Sequence, residues 1–237
     1  MKETIMDKII LGLALAGALL STPAMAQDLT VSITNLTHGT YFTPLLVAAH
    51  TGDNHLFRSG ESASTSLQAM AEGGDISGLS TDMAAVSADT VENPVGGLLA
   101  PGASTSFDLS TASGNDHLSI TAMLLPSNDG FVGADSIAIP TAAGTYSYRL
   151  NGYDAGTEAN DEIVNGGGAP GAPGIPADPG GASGTGGTGV TSSEANTLVH
   201  IHRGILGDSD ETGGTSDLNS SVHRWLNPVA GLTIVVK

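Results

Sequence analysis

The chain has 237 residues, enough for one large domain with a proper core or for two small ones. It contains no cysteine, which excludes a disulfide framework, a thiolate metal site, a catalytic thiol and a lipid-modified cysteine anchor. Seven basic residues against 24 acidic ones give a net charge of −17, a balance that opposes nucleic acid or an anionic membrane as partner and favours cations.

The first segment reads as an address. Lys2 and Lys8 flank a short n-region, Ile9 to Leu20 is an apolar run of signal-peptide length, and Ala24-Met25-Ala26 supplies the small residues read before cleavage. Residues 1–26 are therefore expected to be a signal peptide cut before Gln27, leaving residues 27–237 exported, periplasmic or secreted. Removal of Lys2, Lys8, Glu3 and Asp7 subtracts two charges of each sign, so the mature chain keeps −17. No later stretch reaches the roughly 18 continuous apolar residues of a membrane span.

Leu29 to Asn35 sets Leu29, Val31 and Ile33 against Thr30, Ser32 and Thr34, the alternation of a strand with one buried face. Pro44 to Ala49 is apolar on both faces and fits a buried strand or a short helix. From Ser62 to Glu72 the apolar residues Ala63, Leu67, Met70 and Ala71 recur at helical spacing. One short helix is expected there, N-capped by Ser62, closing at Gly73-Gly74 and lying across an end of the sandwich. Met83 to Val86 is a candidate short strand. Thr105 to Leu109 and His117 to Leu125 read as a hairpin turning at Ser113-Gly114-Asn115-Asp116.

Phe131 to Ile139 and Thr145 to Leu150 extend this into an antiparallel meander that reverses at Pro140 to Gly144. In such a meander the turn holding Asp129 and the turn holding Asp154 and Glu158 lie at one end of the sheet. Three converging carboxylates repel one another unless a cation sits between them, and an all-oxygen set suits Ca2+ better than a transition metal. The alternative is three solvated loop acids. Residues 165–193, nearly all Gly, Ala, Pro, Ser and Thr, offer little to bury and are expected to be a flexible low-complexity insertion. Leu198 to Leu206 resumes strand character, and Val229 to Lys237 is the last strand. The reading is one all-β domain, an antiparallel β-sandwich with one short helix and a disordered Gly-rich insertion.

His200 and His202, at i and i+2, would share a face of a strand and could hold zinc or copper with His223 or His50, although exposed or packed polar residues explain the pair as well. Trp225 is expected to plug the core before the last strand. No nucleophile elbow and no phosphate loop occurs, so no enzymatic activity is expected.

Several stretches also match a known pattern. Ser127-Asn128-Asp129-Gly130-Phe131-Val132-Gly133 resembles the S-P-D-W-x-V-G signature of the spondin N-terminal domain family, and Asp154-Ala155-Gly156-Thr157-Glu158 resembles its D-A-G-T-D signature. Pro44 to His50, Ala69 to Asp75, His200 and Trp225 to Ala230 extend the similarity. The resemblance implies a β-sandwich similar to C2 domains, with calcium held by Asp129, Asp154 and Glu158. It implies adhesion or interaction with an unknown protein or extracellular-matrix-like ligand. Two positions depart from the pattern: Asn128-Asp129-Gly130 stands where the family has Pro-Asp-Trp, and Glu158 where it has Asp. The expected function is an exported calcium-binding interaction module; the alternative is a secreted hydrolase or a His-based transition-metal-binding protein.

Overall fold

The computed structural model describes residues 25–237, so the expected signal peptide lies almost wholly outside the described residues. Among the described residues ten strands are formed: β1 (Asp28–Asn35), β2 (Tyr41–Phe42), β3 (Leu46–His50), β4 (Asp89–Glu92), β5 (Ser104–Ser110), β6 (His117–Leu125), β7 (Gly130–Ala138), β8 (Gly144–Asp154), β9 (His200–Ile201) and β10 (Ala230–Val236). Two helices, α1 (Thr65–Gly73) and α2 (Ser77–Ala85), intervene between β3 and β4.

The strands follow the order β4-β3-β6-β7-β8-β10-β1-β5, all antiparallel, with β2 on β6 and β9 on β8. β8 joins the two layers. Its first half, Gly144 to Leu150, pairs with β10, and its second half, Asn151 to Asp154, pairs with β7. Alternation dictates the core on one side: Leu29, Val31 and Ile33 of β1 and Leu232, Ile234 and Val236 of β10 all turn inward. β3 and β6 are buried on both faces because α1 and α2 lie against them. The buried apolar residues from Leu29 to Val236 form one contiguous core. The outer strands approach each other where the Asp89 carboxylate accepts the Ala112 amide hydrogen at 2.6 Å and the Asn115 side chain at 2.8 Å.

Several expectations are corrected. β5 does not form a hairpin with β6; it pairs along its whole length with β1. Its outward Ser104, Ser106, Asp108 and Ser110 meet Thr34, Ser32, Thr30 and Asp28 of β1 through side-chain hydrogen bonds, a match that a turn-based reading misses. Among the described residues there are two helices instead of one, and they cover strands, not an end of the sandwich. Ser64, not Ser62, caps α1 by accepting the Leu67 amide hydrogen at 3.1 Å, and Gly74 closes it in the left-handed conformation with φ 73°. Met83 to Ala85 belong to α2, whose start is held by Asp75 accepting the Ser77 amide hydrogen at 2.9 Å. Only His200 and Ile201 of the 198–206 stretch are in a strand.

The 165–193 segment has no helix or strand, yet polar contacts tie it to the sandwich. Ile175 is fully buried, the Gly171 and Gly174 amide hydrogens are donated to Glu72 at 2.5 Å and Glu158 at 3.1 Å, and Asp178 faces buried His223 at 3.4 Å. Among the described residues no helix is long and apolar enough to cross a membrane.

Candidate metal centre

The meander delivers its acids as the topology requires. Gly130 and Asp154 are cross-strand partners, so Asp129, just before β7, faces the turn that follows β8. The Ala155 amide hydrogen is donated to the Asp129 carbonyl at 3.2 Å. Asp129 Oδ2 then accepts three more hydrogens, from Thr157 N at 2.8 Å, Glu158 N at 3.1 Å and Thr157 Oγ1 at 3.2 Å. The 155–158 loop is thereby folded around the Asp129 side chain.

The three acids are dressed unequally. Both oxygens of Asp154 are engaged: Oδ1 accepts the Gly156 amide hydrogen at 2.8 Å and lies 3.8 Å from His200 Nδ1, and Oδ2 accepts from Asn160 Nδ2 at 2.7 Å. Glu158 Oε2 accepts from Gly174 N at 3.1 Å and Asn128 Nδ2 at 3.4 Å. Asp129 Oδ1 and Glu158 Oε1, by contrast, are buried without a hydrogen-bond partner among the described residues. A bare buried carboxylate oxygen is costly, and it points to a ligand or a proton.

The electrostatics agree. Burial, followed by the charge of Asp154, raises Asp129 to about 7. Burial raises Glu158 to about 7 as well, with Glu72 and Asp129 adding to the effect. Asp154 is raised by burial and by Glu194 against the pull of its hydrogen bonds. Among the described residues no group of three or more His, Cys, Asp or Glu side chains stands close enough together to hold a metal ion. The acids therefore share one loop end without forming a closed cage, and a calcium ion there would need backbone or solvent oxygens to reach six to eight ligands.

The departures from the family pattern are accommodated. Ser127 Oγ donates to the Leu124 carbonyl at 2.5 Å and accepts the Gly130 amide hydrogen at 3.0 Å. Asn128 is buried, donates to Asp161 Oδ1 at 2.8 Å and accepts from Glu162 N at 3.1 Å, so the turn is pinned where proline would have stiffened it. Gly130 leaves no room for an indole: a Cβ there would lie 2.7 Å from Ser127 Oγ and 3.2 Å from His202 Cδ2. Trp225 stands behind His202, ring centroids 5.0 Å apart, and is buried as expected of a plug.

The histidines do not gather into a transition-metal set. His202 accepts the Gly204 amide hydrogen on Nδ1 at 2.8 Å and so donates from Nε2 to Asn160 Oδ1 at 3.0 Å. Burial, then the Arg203 charge, lowers it to about 3. His223 accepts from Asn219 N at 3.0 Å and faces Asp178 at 3.4 Å, and His50 is held by Thr51 O and Ser119 Oγ between β3 and β6.

Four residues of this end were not singled out from the sequence: Asn160, Glu194, Gly174 and Glu72. Asn160 joins Asp154, Glu194 and His202. Glu72 is fully buried in the last turn of α1, accepting from Gln68 at 2.8 Å and from Gly171 N at 2.5 Å. An acid at a helix C-terminus opposes the helix dipole, and that was the available signal.

A family model described as Spondin_N matches residues 34–163, more than half of the chain. The chain belongs to the spondin N-terminal domain family. Among curated proteins no match is found. The match to the spondin model takes in β2 to β8, both helices and all three acids, and it ends before β9 and β10, which nevertheless complete the same sandwich. Membership assigns this spondin domain, coarsely, to the interaction and adhesion modules.

Proposed function

We propose that this spondin domain is exported and acts as a non-enzymatic interaction module whose Asp129, Asp154 and Glu158 loop end takes a structural Ca2+. The observation that carries this reading is the pair of bare, buried carboxylate oxygens, Asp129 Oδ1 and Glu158 Oε1, in loops whose charges already repel. Asp129 and Glu158 would supply those oxygens, and Asp154 would exchange one of its hydrogen bonds for the ion. The ion would neutralise the repulsion and lock the 126–129 and 155–158 turns together. Extracellular sites of this kind bind at about 10⁻⁴ to 10⁻³ M, and an ion at about ten times its dissociation constant stabilises a fold by roughly 1.4 kcal/mol. Export rests on the leader-like composition of residues 1–26 and on the family's character.

The test is calorimetric unfolding of the mature chain in calcium and in chelator. A rise in melting temperature with calcium, much reduced in Asp129→Asn, is expected. Identical transitions in calcium and chelator would refute the calcium assignment. N-terminal sequencing of the exported protein should begin at Gln27.

A further inference from the structure

Beside the metal loops, two segments are fastened to one residue. The His202 amide hydrogen is donated to the Gly152 carbonyl at 3.1 Å, and Gly152 donates its own to Asn227 Oδ1 at 2.6 Å. Between them Gly204 approaches the Trp225 carbonyl so closely that any Cβ would collide with it. The 201–206 and 224–226 segments therefore run side by side. His202 and Trp225 turn inward, while Leu226 is left 76% exposed, Ile201 49% and Leu206 42%. Arg203 and Arg224 are exposed on the same two segments.

One exposed leucine is ordinary, but three large aliphatic side chains flanked by two arginines are the composition of a contact patch. In a chain at −17 the patch brings two exposed cations together. Of the five basic residues described, Arg58 and Lys237 are paired with Glu61 and Asp108, whereas Arg149, Arg203 and Arg224 have no carboxylate within ion-pair distance, and two of these three stand on this patch. Arg203 donates only to the Asn160 carbonyl, at 3.0 Å. The spare hydrogen-bonding capacity of these side chains is all donor.

We propose that this face docks an acidic segment of a partner protein, its carboxylates meeting Arg203 and Arg224 and its apolar side chains covering Ile201, Leu206 and Leu226. An anionic bilayer fits less well than a short acidic segment, because a bilayer is extended and would face the wider surface of a chain at −17, whereas a segment meets only the two arginines and their apolar neighbours. The inference rests on the reading of the domain as an interaction module, and not on calcium.

The test uses the mature chain and a phage-displayed library of random peptides, selected in parallel on Arg224→Glu and Leu226→Ser variants. Selected peptides should be enriched in Asp and Glu next to Leu, Ile or Phe, and each variant should weaken their binding by at least about tenfold. Melting temperature and calcium response, followed on the same proteins, should stay unchanged, which separates failure here from failure of the calcium reading. A basic or neutral pool, an empty selection, or peptides that bind both variants as tightly as the parent would overturn the proposal. So would Arg224-dependent sedimentation with phosphatidylglycerol vesicles in place of peptide binding.

Discussion

The Asp129 carboxylate accepts the Glu158 amide hydrogen at 3.1 Å, so one acid of the candidate calcium site fixes the backbone of another. Asp129 has two jobs on two oxygens: Oδ2 organises the 155–158 loop, and Oδ1 stays bare. That division lets structure and ion binding be separated by mutation.

Asp129→Asn keeps a carbonyl oxygen for the Thr157 and Glu158 amides while removing the charge. Calcium affinity should fall by at least about tenfold, or about 1.4 kcal/mol, since a hard cation loses a formal negative ligand. In chelator at about pH 8 the variant should melt no lower than the parent, because a buried charge facing Asp154 is gone. Asp129→Ala should instead cost about 1–3 kcal/mol with or without calcium, because the loop amides lose their acceptor. Calorimetry of the three proteins in calcium and in chelator distinguishes these patterns.

The pH dependence follows from the same groups. Asp129 and Glu158 are raised from 3.8 and 4.5 to about 7. The native chain thus holds protons that the unfolded chain releases from about pH 4 upward. Their stabilising contribution in calcium-free protein is full below about pH 4, declines as pH rises, and is lost above about pH 7. On the calcium proposal the ion would take the place of those protons, so its effect should grow across that window and binding near pH 6 should release protons. Isothermal titration in two buffers of different ionisation enthalpy measures the release. A proton count of zero at about pH 6 would mean that these carboxyls are already ionised before calcium arrives.

Gly130 is required for space and not for an unusual backbone. A Cβ there would press on Ser127 Oγ, which is committed to both Leu124 and Gly130, and on the ring of His202. Gly130→Ala should cost about 1–3 kcal/mol through overpacking, read as a shift in the urea midpoint at constant slope. Restoring the family's tryptophan should cost more, because His202 and Trp225 already fill that side.

What could be read from the sequence was set by how local each signal is. The alternation in β1 and β10 and the meander through β6, β7 and β8 are visible in residue order, and with them the arrival of Asp129, Asp154 and Glu158 at one end. The partner of β5 was not visible, because a plausible turn at Ser113 to Asp116 competes with hydroxyl pairing to β1, some seventy to eighty residues away. α2 was hidden because it buries only Leu79 and Met83, too thin a stripe to show helical period. At the site, Asn160, Glu194 and Gly174 come from the segment without strands or from its border. Composition marks that segment as low in apolar bulk but says nothing of the carboxylates and amides that fasten it.

Glu72 is the strongest test of that fastening. Its carboxylate links α1 to the Gly-rich segment through Gly171, and Glu158 makes a parallel link through Gly174, so two buried acids hold neighbouring amides of the segment while repelling each other. Glu72→Gln retains an acceptor for Gly171 and removes the repulsion. The segment should stay in place, Glu158 should ionise at lower pH, and the calcium-free protein should gain stability at about pH 8. Glu72→Ala removes the acceptor too, leaving the Gly171 amide unpaired, and the segment should open at least about tenfold more often. Hydrogen exchange resolved to residues 168–176 measures the opening directly: loss of protection in Glu72→Ala but not in Glu72→Gln is the expected outcome. Equal protection in both variants would show that the Glu72 link is dispensable and that the Glu158–Gly174 bond, buried Ile175 and the Asp178–His223 contact hold the segment.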